Sequence, residues 1–238
     1  MSEYMHKYLY PHIGLGDLII CNGLIRACCK KFDKITTFCK PWDATSVKFM
    51  FRDVSNLEIL ELDDPGARKV VESQPLEQQV ILGLHGPNPI RPKSFETGST
   101  FDELFYQQVG LDFNKRWSEF YVERDVKKEK EFFNTLNLTE GEYIFVHDDH
   151  SRGFRISDDR IVNKNLKVFR PSKELTDNVF DYCYLIENAK EIHCMDSTFK
   201  HITDSLNPSA EKLFYHIAIR GVTPYNITKS RLNWEYVK

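Results

Sequence analysis

With 238 residues, the chain is one large domain or two small ones. Hydrophobic residues make up 41% and charged residues 28%, with 17 Phe and 11 Tyr, which supplies a packed core and excludes collagen-like, low-complexity and disordered classes. The net charge is -3, and residues 1–120 carry 14 basic and 16 acidic side chains against 18 and 19 in the remainder, so neither half has the basic surface an extended nucleic-acid site requires. A small anion pocket remains compatible with that balance.

No run of 18 apolar residues exists, so no membrane span is expected, and the polar, aromatic start Met1 to Tyr10 lacks the apolar core of a secretory signal. Cys21, Cys28, Cys29, Cys39, Cys183 and Cys194 are not spaced as CxxC pairs and fall in apolar, regular segments. They read as buried free thiols of a reducing, cytoplasmic compartment, where the sequons at Asn137 and Asn226 carry no meaning.

In chain order, Tyr8-Leu9-Tyr10 predicts a strand that runs into His12-Ile13-Gly14-Leu15-Gly16-Asp17 and an apolar-periodic helix from Leu18 to Phe32. A strand from Lys34 to Cys39, a short helix from Asp43 to Phe51 and a third strand from Leu57 to Leu62 follow. A helix from Pro65 to Ser73, with Pro at its start, precedes a strand from Gln79 to Leu84 that ends at His85. Then the texture changes. The segment 87–92 is rich in Pro, Phe101 to Val109 is helical, and Trp117 to Val122 reads as aromatic and extended.

The second half repeats the rhythm. A helix from Lys127 to Leu136 leads to Tyr143-Ile144-Phe145-Val146-His147, apolar enough for a strand buried on both faces. Strands at Leu166 to Phe169, Glu191 to Met195 and Leu213 to Ile219 alternate with a helix from Asn178 to Ala189 and another opened by Asp196-Ser197-Thr198. Strands alternating with helices predict an α/β protein with parallel sheets: two small Rossmann-like domains facing a cleft. The expected organisation is a first domain over 1–95, a connector over 96–125 and a second domain over 126–238.

Ligands of open α/β sheets bind beyond the carboxyl ends of the strands, so the residues there are the candidates. Gly14 and Gly16 allow close backbone approach, and Asp17 is either a helix cap or a carboxylate facing the crevice. A dinucleotide fingerprint is incomplete, because Ile19 stands where the third glycine belongs and Phe38-Cys39-Lys40-Pro41 offers no acid after the second strand. His147-Asp148-Asp149-His150-Ser151-Arg152-Gly153-Phe154-Arg155 is a solvated polar loop, an anion or nucleotide site, or a metal site built on His147, Asp149 and His150. Arg152 and Arg155 suit phosphate because a guanidinium donates two parallel hydrogen bonds. Asp196-Ser197-Thr198 is a cap or a phosphate cradle at a helix N-terminus. His85, ending a first-half strand, is a candidate to face the crevice, Arg170-Pro171-Ser172, ending a second-half strand, is a candidate to read a nucleobase, and His193 and His216 inside strands are expected to be core residues. No GxSxG, HExxH, Walker loop or zinc spacing occurs.

The Gly16-Asp17 step and the pattern Leu185-Ile186-Glu187-Asn188-Ala189 followed by Ile192-His193-Cys194-Met195-Asp196-Ser197 resemble GT-B glycosyltransferases of the heptosyltransferase-like group, in its compact bacterial and viral form. The resemblance implies transfer of a sugar, hexosyl or related, from a nucleotide diphosphate donor to an acceptor hydroxyl. Asp17 would match the family's general base. His150, Arg152, Arg155, Arg170, Asp196, Ser197 and Thr198 would bind the donor diphosphate on the second domain. Gly14, Gly16, His85 and His147 would line the acceptor side or the cleft. Such a reaction is expected to be inverting and independent of metal or other cofactor, the nucleotide sugar being a co-substrate. The acceptor would be a glycan, a lipid-linked or a small molecule, with no nucleic acid partner. The aromatic stretch from Phe101 to Tyr121 would bury between domains or against a second copy of the chain. The alternative reading is a non-catalytic nucleotide-sugar or phosphate-binding module.

Overall fold

The computed structural model describes residues 4–83, 99–149, 152–161, 163–217 and 227–238. The chain divides into two compact units, Met1–Glu123 and Arg124–Lys238. His85, His150 and the end of the strand expected up to Ile219 lie outside the described residues.

The first unit is built on strands β1 (His6–Tyr10), β2 (Lys34–Cys39), β3 (Leu57–Glu61) and β4 (Gln79–Ile81), all parallel, in the order β3-β2-β1-β4. The chain runs from β1 outward to β3 and then returns to the other side of β1, so the switch point lies between β1 and β4. Helices α1 (Leu15–Ile20), α2 (Asn22–Lys31), α3 (Ala44–Met50) and α4 (Asp64–Glu72) fill the crossovers. Tyr10, Ile13, Phe38, Ala67 and Val71 form one core cluster between the sheet and α4. The Asp63 carboxylate caps α4 by accepting the Gly66 N–H at 2.8 Å, a contact of about 1 kcal/mol.

The helix expected from Leu18 starts three residues earlier and breaks at Cys21. At the break, the buried Asn22 amide exchanges two hydrogen bonds of 3.1 Å with the backbone of Tyr121, a long-range pairing no periodicity reveals. Helices α5 (Phe101–Gln108) and α6 (Lys115–Ser118) belong to this unit too. The Glu103 carboxylate reaches back to the Thr100 N–H at 2.7 Å at the start of α5, and the Tyr106 hydroxyl donates to the Ile20 carbonyl at 2.8 Å. Trp117, expected in an extended segment, is helical because Asp112 starts a turn by accepting the Asn114 N–H at 2.8 Å. The fully buried Arg116–Asp102 ion pair then joins α6 to α5.

The second unit opens with α7 (Val126–Thr135) and carries β5 (Tyr143–His147), β6 (Lys167–Phe169), β7 (Glu191–Cys194), β8 (Lys212–His216) and β9 (Glu235–Val237), again all parallel, in the order β6-β5-β7-β8-β9. Here the switch point lies between β5 and β7. Strand β5 is buried on both faces, as its apolar run predicts. Ile144 and Val146 join Ile156, Ile161 and Met195 in one cluster, while Phe145 meets Phe199 at 5.5 Å between ring centroids. The helix expected over 178–189 is instead a 3₁₀ turn, Val179–Tyr182, followed by α8 (Cys183–Glu187), because the Asn178 side chain tightens the first turn by accepting the Phe180 N–H at 3.2 Å. Helix α9 (Thr198–Ser205) follows β7. Strand β9 is absent from the sequence expectation: three residues, two of them exposed, carry no periodic signal. It is held from outside the strand, because Trp234 and Ser230 donate to the Asp204 carboxylate on α9 at 2.8 and 2.6 Å.

All six cysteines are free, and only Cys29 is partly exposed. Burial pushes the Cys28 and Cys39 thiols up to about 11, so they are inert at neutral pH. No helix among the described residues is long and apolar enough to cross a membrane.

Candidate active site residues at the strand ends

In the first unit, β1 ends at Tyr10 and the chain turns through His12 before Gly14 starts α1. Gly14 is the residue before the helix, which places Asp17 in the first turn rather than at the cap. A Cβ on Gly14 would sit 3.0 Å from Asp17 Oδ2, so the glycine leaves room for the carboxylate to fold back over the turn. Gly16 lies in the same turn. The Asp17 side chain is 28% exposed and its Oδ2 lies 3.8 Å from His12 Nδ1. The Tyr10 hydroxyl is turned to Asp64 at 2.9 Å, and burial with that carboxylate pushes its pKa well above the ordinary phenol range. A cavity of about 500 Å³ in this unit, lined by Arg26, Asn56 and Tyr121, lies at the amino end of β3, away from Asp17. Its Arg26 guanidinium is paired to both oxygens of Asp53 at 2.8 Å.

In the second unit, His147 at the end of β5 and Ser197 after β7 meet across the switch point, with Nδ1 and Oγ 2.8 Å apart. The His147 ring is also held 4.5 Å from the Phe199 ring. Ser197 is the residue before α9, yet its side chain makes no cap hydrogen bond to that helix and turns to His147 instead, so it leaves the first amides of α9 uncapped. Asp196 lies beside the turn, with Oδ1 3.9 Å from His201 Nε2. His201 escaped the sequence reading; its one signal is its place a helical turn beyond Ser197, on the same face. Thr198 begins α9 and is partly exposed.

The loop after β5 closes on itself. Asp149 and Phe154 pair as an isolated antiparallel bridge, with Gly153 at φ +74° making the return. Asp148 is buried and accepts the Ile156 N–H at 2.7 Å. Arg170 holds this loop: its guanidinium donates to Asp148, to Asp158 at 2.7 Å and to the Ile156 carbonyl at 3.0 Å. Its fork is thus engaged within the protein. Arg152 is exposed with only a 3.5 Å contact to Asp149, and Arg155 is exposed with no ion pair among the described residues. No group of three or more His, Cys, Asp or Glu among the described residues is arranged to hold a metal. Deeper in the sheet, His193 Nδ1 and His216 Nε2 lie 3.0 Å apart, both fully buried, and burial lowers each pKa to about 4.

No family model matches the sequence, and no curated protein matches it. Among solved structures, a glycosyl transferase family 9 protein from Veillonella parvula DSM 2008 matches with a TM-score of 0.58, at 10% identity, over 100% of this chain and 88% of that one. The chain has the fold of a family 9 glycosyltransferase. The α/β architecture with two Rossmann-like sheets read from the sequence is therefore the one found.

Proposed function

We propose that this protein transfers a sugar from a nucleotide diphosphate donor to an acceptor hydroxyl, with inversion and without a metal. The observation that carries the reading is the pair of switch points. One sheet offers a part-exposed carboxylate at Asp17, and the other offers the Ser197 hydroxyl, the N-terminus of α9 and two exposed arginines. The first set suits an acceptor and the second a donor diphosphate.

In this reaction the acceptor hydroxyl attacks the anomeric carbon, its C–O bond forms as the bond to the diphosphate oxygen breaks, and Asp17 takes the hydroxyl proton. The departing diphosphate gains negative charge. Arg152, Arg155, Ser197, Thr198 and the α9 amides stabilise it, which is the role a divalent cation fills elsewhere. Arg170, engaged by Asp148 and Asp158, fixes the loop that carries the two arginines.

A thermal-shift screen with UDP-, GDP-, ADP-, CMP- and dTDP-sugars tests the reading, because a donor that binds the native state raises its midpoint by mass action. The expected result is stabilisation by one nucleotide class, followed by release of the nucleotide when acceptors are added. A donor that binds and stays intact with every acceptor would make the protein a nucleotide-sugar-binding module, and no stabilisation by any of them would contradict the proposal.

A further inference from the structure

From the surroundings of His12 we infer that this residue is the positioning partner of Asp17, holding the carboxylate in the orientation from which it accepts the proton. The inference rests on the reading of Asp17 as the base. His12 has φ +64°, a left-handed backbone that L residues adopt rarely, and among the described residues only Asn137 shares the feature. The surrounding structure fixes that conformation. Gly83, just past β4 and itself at φ +68°, lies against the imidazole, and a Cβ there would collide with His12 Nε2 and Cδ2 and sit 2.9 Å from Phe105. The Gln108 side chain clamps Gly83 from both sides, accepting its N–H at 2.6 Å and donating to its carbonyl at 3.0 Å. The Phe105 ring packs edge-on at 5.4 Å and the Phe101 ring at 5.6 Å.

These contacts set the direction of the ring. The Nε2 edge is turned to Gly83, and the Nδ1 edge is turned to Asp17 Oδ2 at 3.8 Å. The His12 side chain is 13% exposed against 28% for Asp17, so Asp17 meets the acceptor and His12 acts through it. Catalytic contacts are often long before substrate binds, and the pair is expected to shorten when an acceptor hydroxyl approaches Asp17. The switch crevice between β1 and β4, a strained turn and the first two turns of α5 thus converge on one carboxylate.

The test uses the full chain and two readouts. Glycine tolerates the left-handed backbone, so His12→Gly removes the ring and keeps the turn; His12→Asn keeps the turn and a polar amide. With the nucleotide sugar selected from the UDP, GDP, ADP, CMP and dTDP panel, His12→Gly should lower kcat by about 10- to 100-fold with KM for the donor within about twofold, and His12→Asn should recover part of the loss. Unchanged kcat in His12→Gly overturns the positioning role. Independently of any substrate, ¹⁵N-histidine spectra should show the His12 resonance, identified by its loss in His12→Gly, with Nδ1 carrying the proton, and this signature should change in Asp17→Asn. Identical ring-nitrogen shifts in the wild type and Asp17→Asn overturn the pairing. If the wild type turns over no nucleotide sugar, the transferase reading fails, and the spectra still decide whether His12 and Asp17 are coupled.

Discussion

His147 Nδ1 and Ser197 Oγ lie 2.8 Å apart, joining the end of β5 to the turn before α9. The contact spans the switch point of the second sheet, where parallel α/β proteins place their ligands. Because the Ser197 side chain does not cap α9, its removal should leave the fold intact. Ser197→Ala is expected to weaken binding of the nucleotide diphosphate by about tenfold, the order of one hydrogen bond to an anion, and to lower stability by only about 1 kcal/mol, the contribution of the lost hydrogen bond to His147. Calorimetry and a thermal scan of the same variant check both halves of the statement.

The arginines of the following loop divide by their partners. Arg152→Ala and Arg155→Ala should each lower affinity for the nucleotide diphosphate and leave stability alone, because both side chains are exposed. Arg170→Ala should do the reverse first. It leaves the buried Asp148 carboxylate without its guanidinium, and a loss of about 3 kcal/mol or more in urea unfolding is expected. An Arg170→Ala protein as stable as the wild type would show that the loop does not depend on it.

Much of the architecture was legible because strands announce themselves locally. Lys34 to Cys39 carries the β-branched and aromatic run Ile35-Thr36-Thr37-Phe38, and Tyr143 to His147 is apolar because both faces are covered. The candidates at the strand ends followed from that. What stayed hidden is non-local. Nothing near Cys21 in sequence shows that Asn22 pairs with Tyr121, and nothing in Glu235-Tyr236-Val237 shows that Asp204 will anchor the residues before it. His12 was hidden for a related reason: its left-handed backbone is imposed by Gly83, Phe105 and Gln108, which lie more than 70 residues away in the chain.

The buried pair His193 and His216 makes stability depend on acid. Each imidazole is held neutral down to about pH 4, first by burial, then by Arg170 for His193 and by His193 and Arg160 for His216. In the unfolded chain both take up protons near pH 6.5. The unfolded state therefore binds more protons between those values, and stability falls as pH drops from about 6.5 towards 4 and is fully present above that window. The two rings are in contact and titrate together, so the expected loss is a few kcal/mol for the pair. Urea unfolding at pH 7 and pH 5 measures it, and His216→Phe should flatten the difference.

The first unit carries its own stability test at Arg116 and Asp102, both buried. Asp102→Ala leaves a buried guanidinium without its carboxylate and should destabilise the protein by about 3–5 kcal/mol. Lowering the temperature midpoint without altering the nucleotide binding proposed for the second unit is the expected signature. A variant with wild-type stability would place the α5–α6 junction outside the cooperative core.

The central claim is that Asp17 accepts the proton, and Asp17→Asn tests it most directly. The substitution keeps the size and the turn but removes the basic oxygen. Transfer rates with the selected donor are expected to fall by about 10²- to 10⁴-fold, with donor affinity measured by calorimetry unchanged. Wild-type turnover in Asp17→Asn would contradict the account.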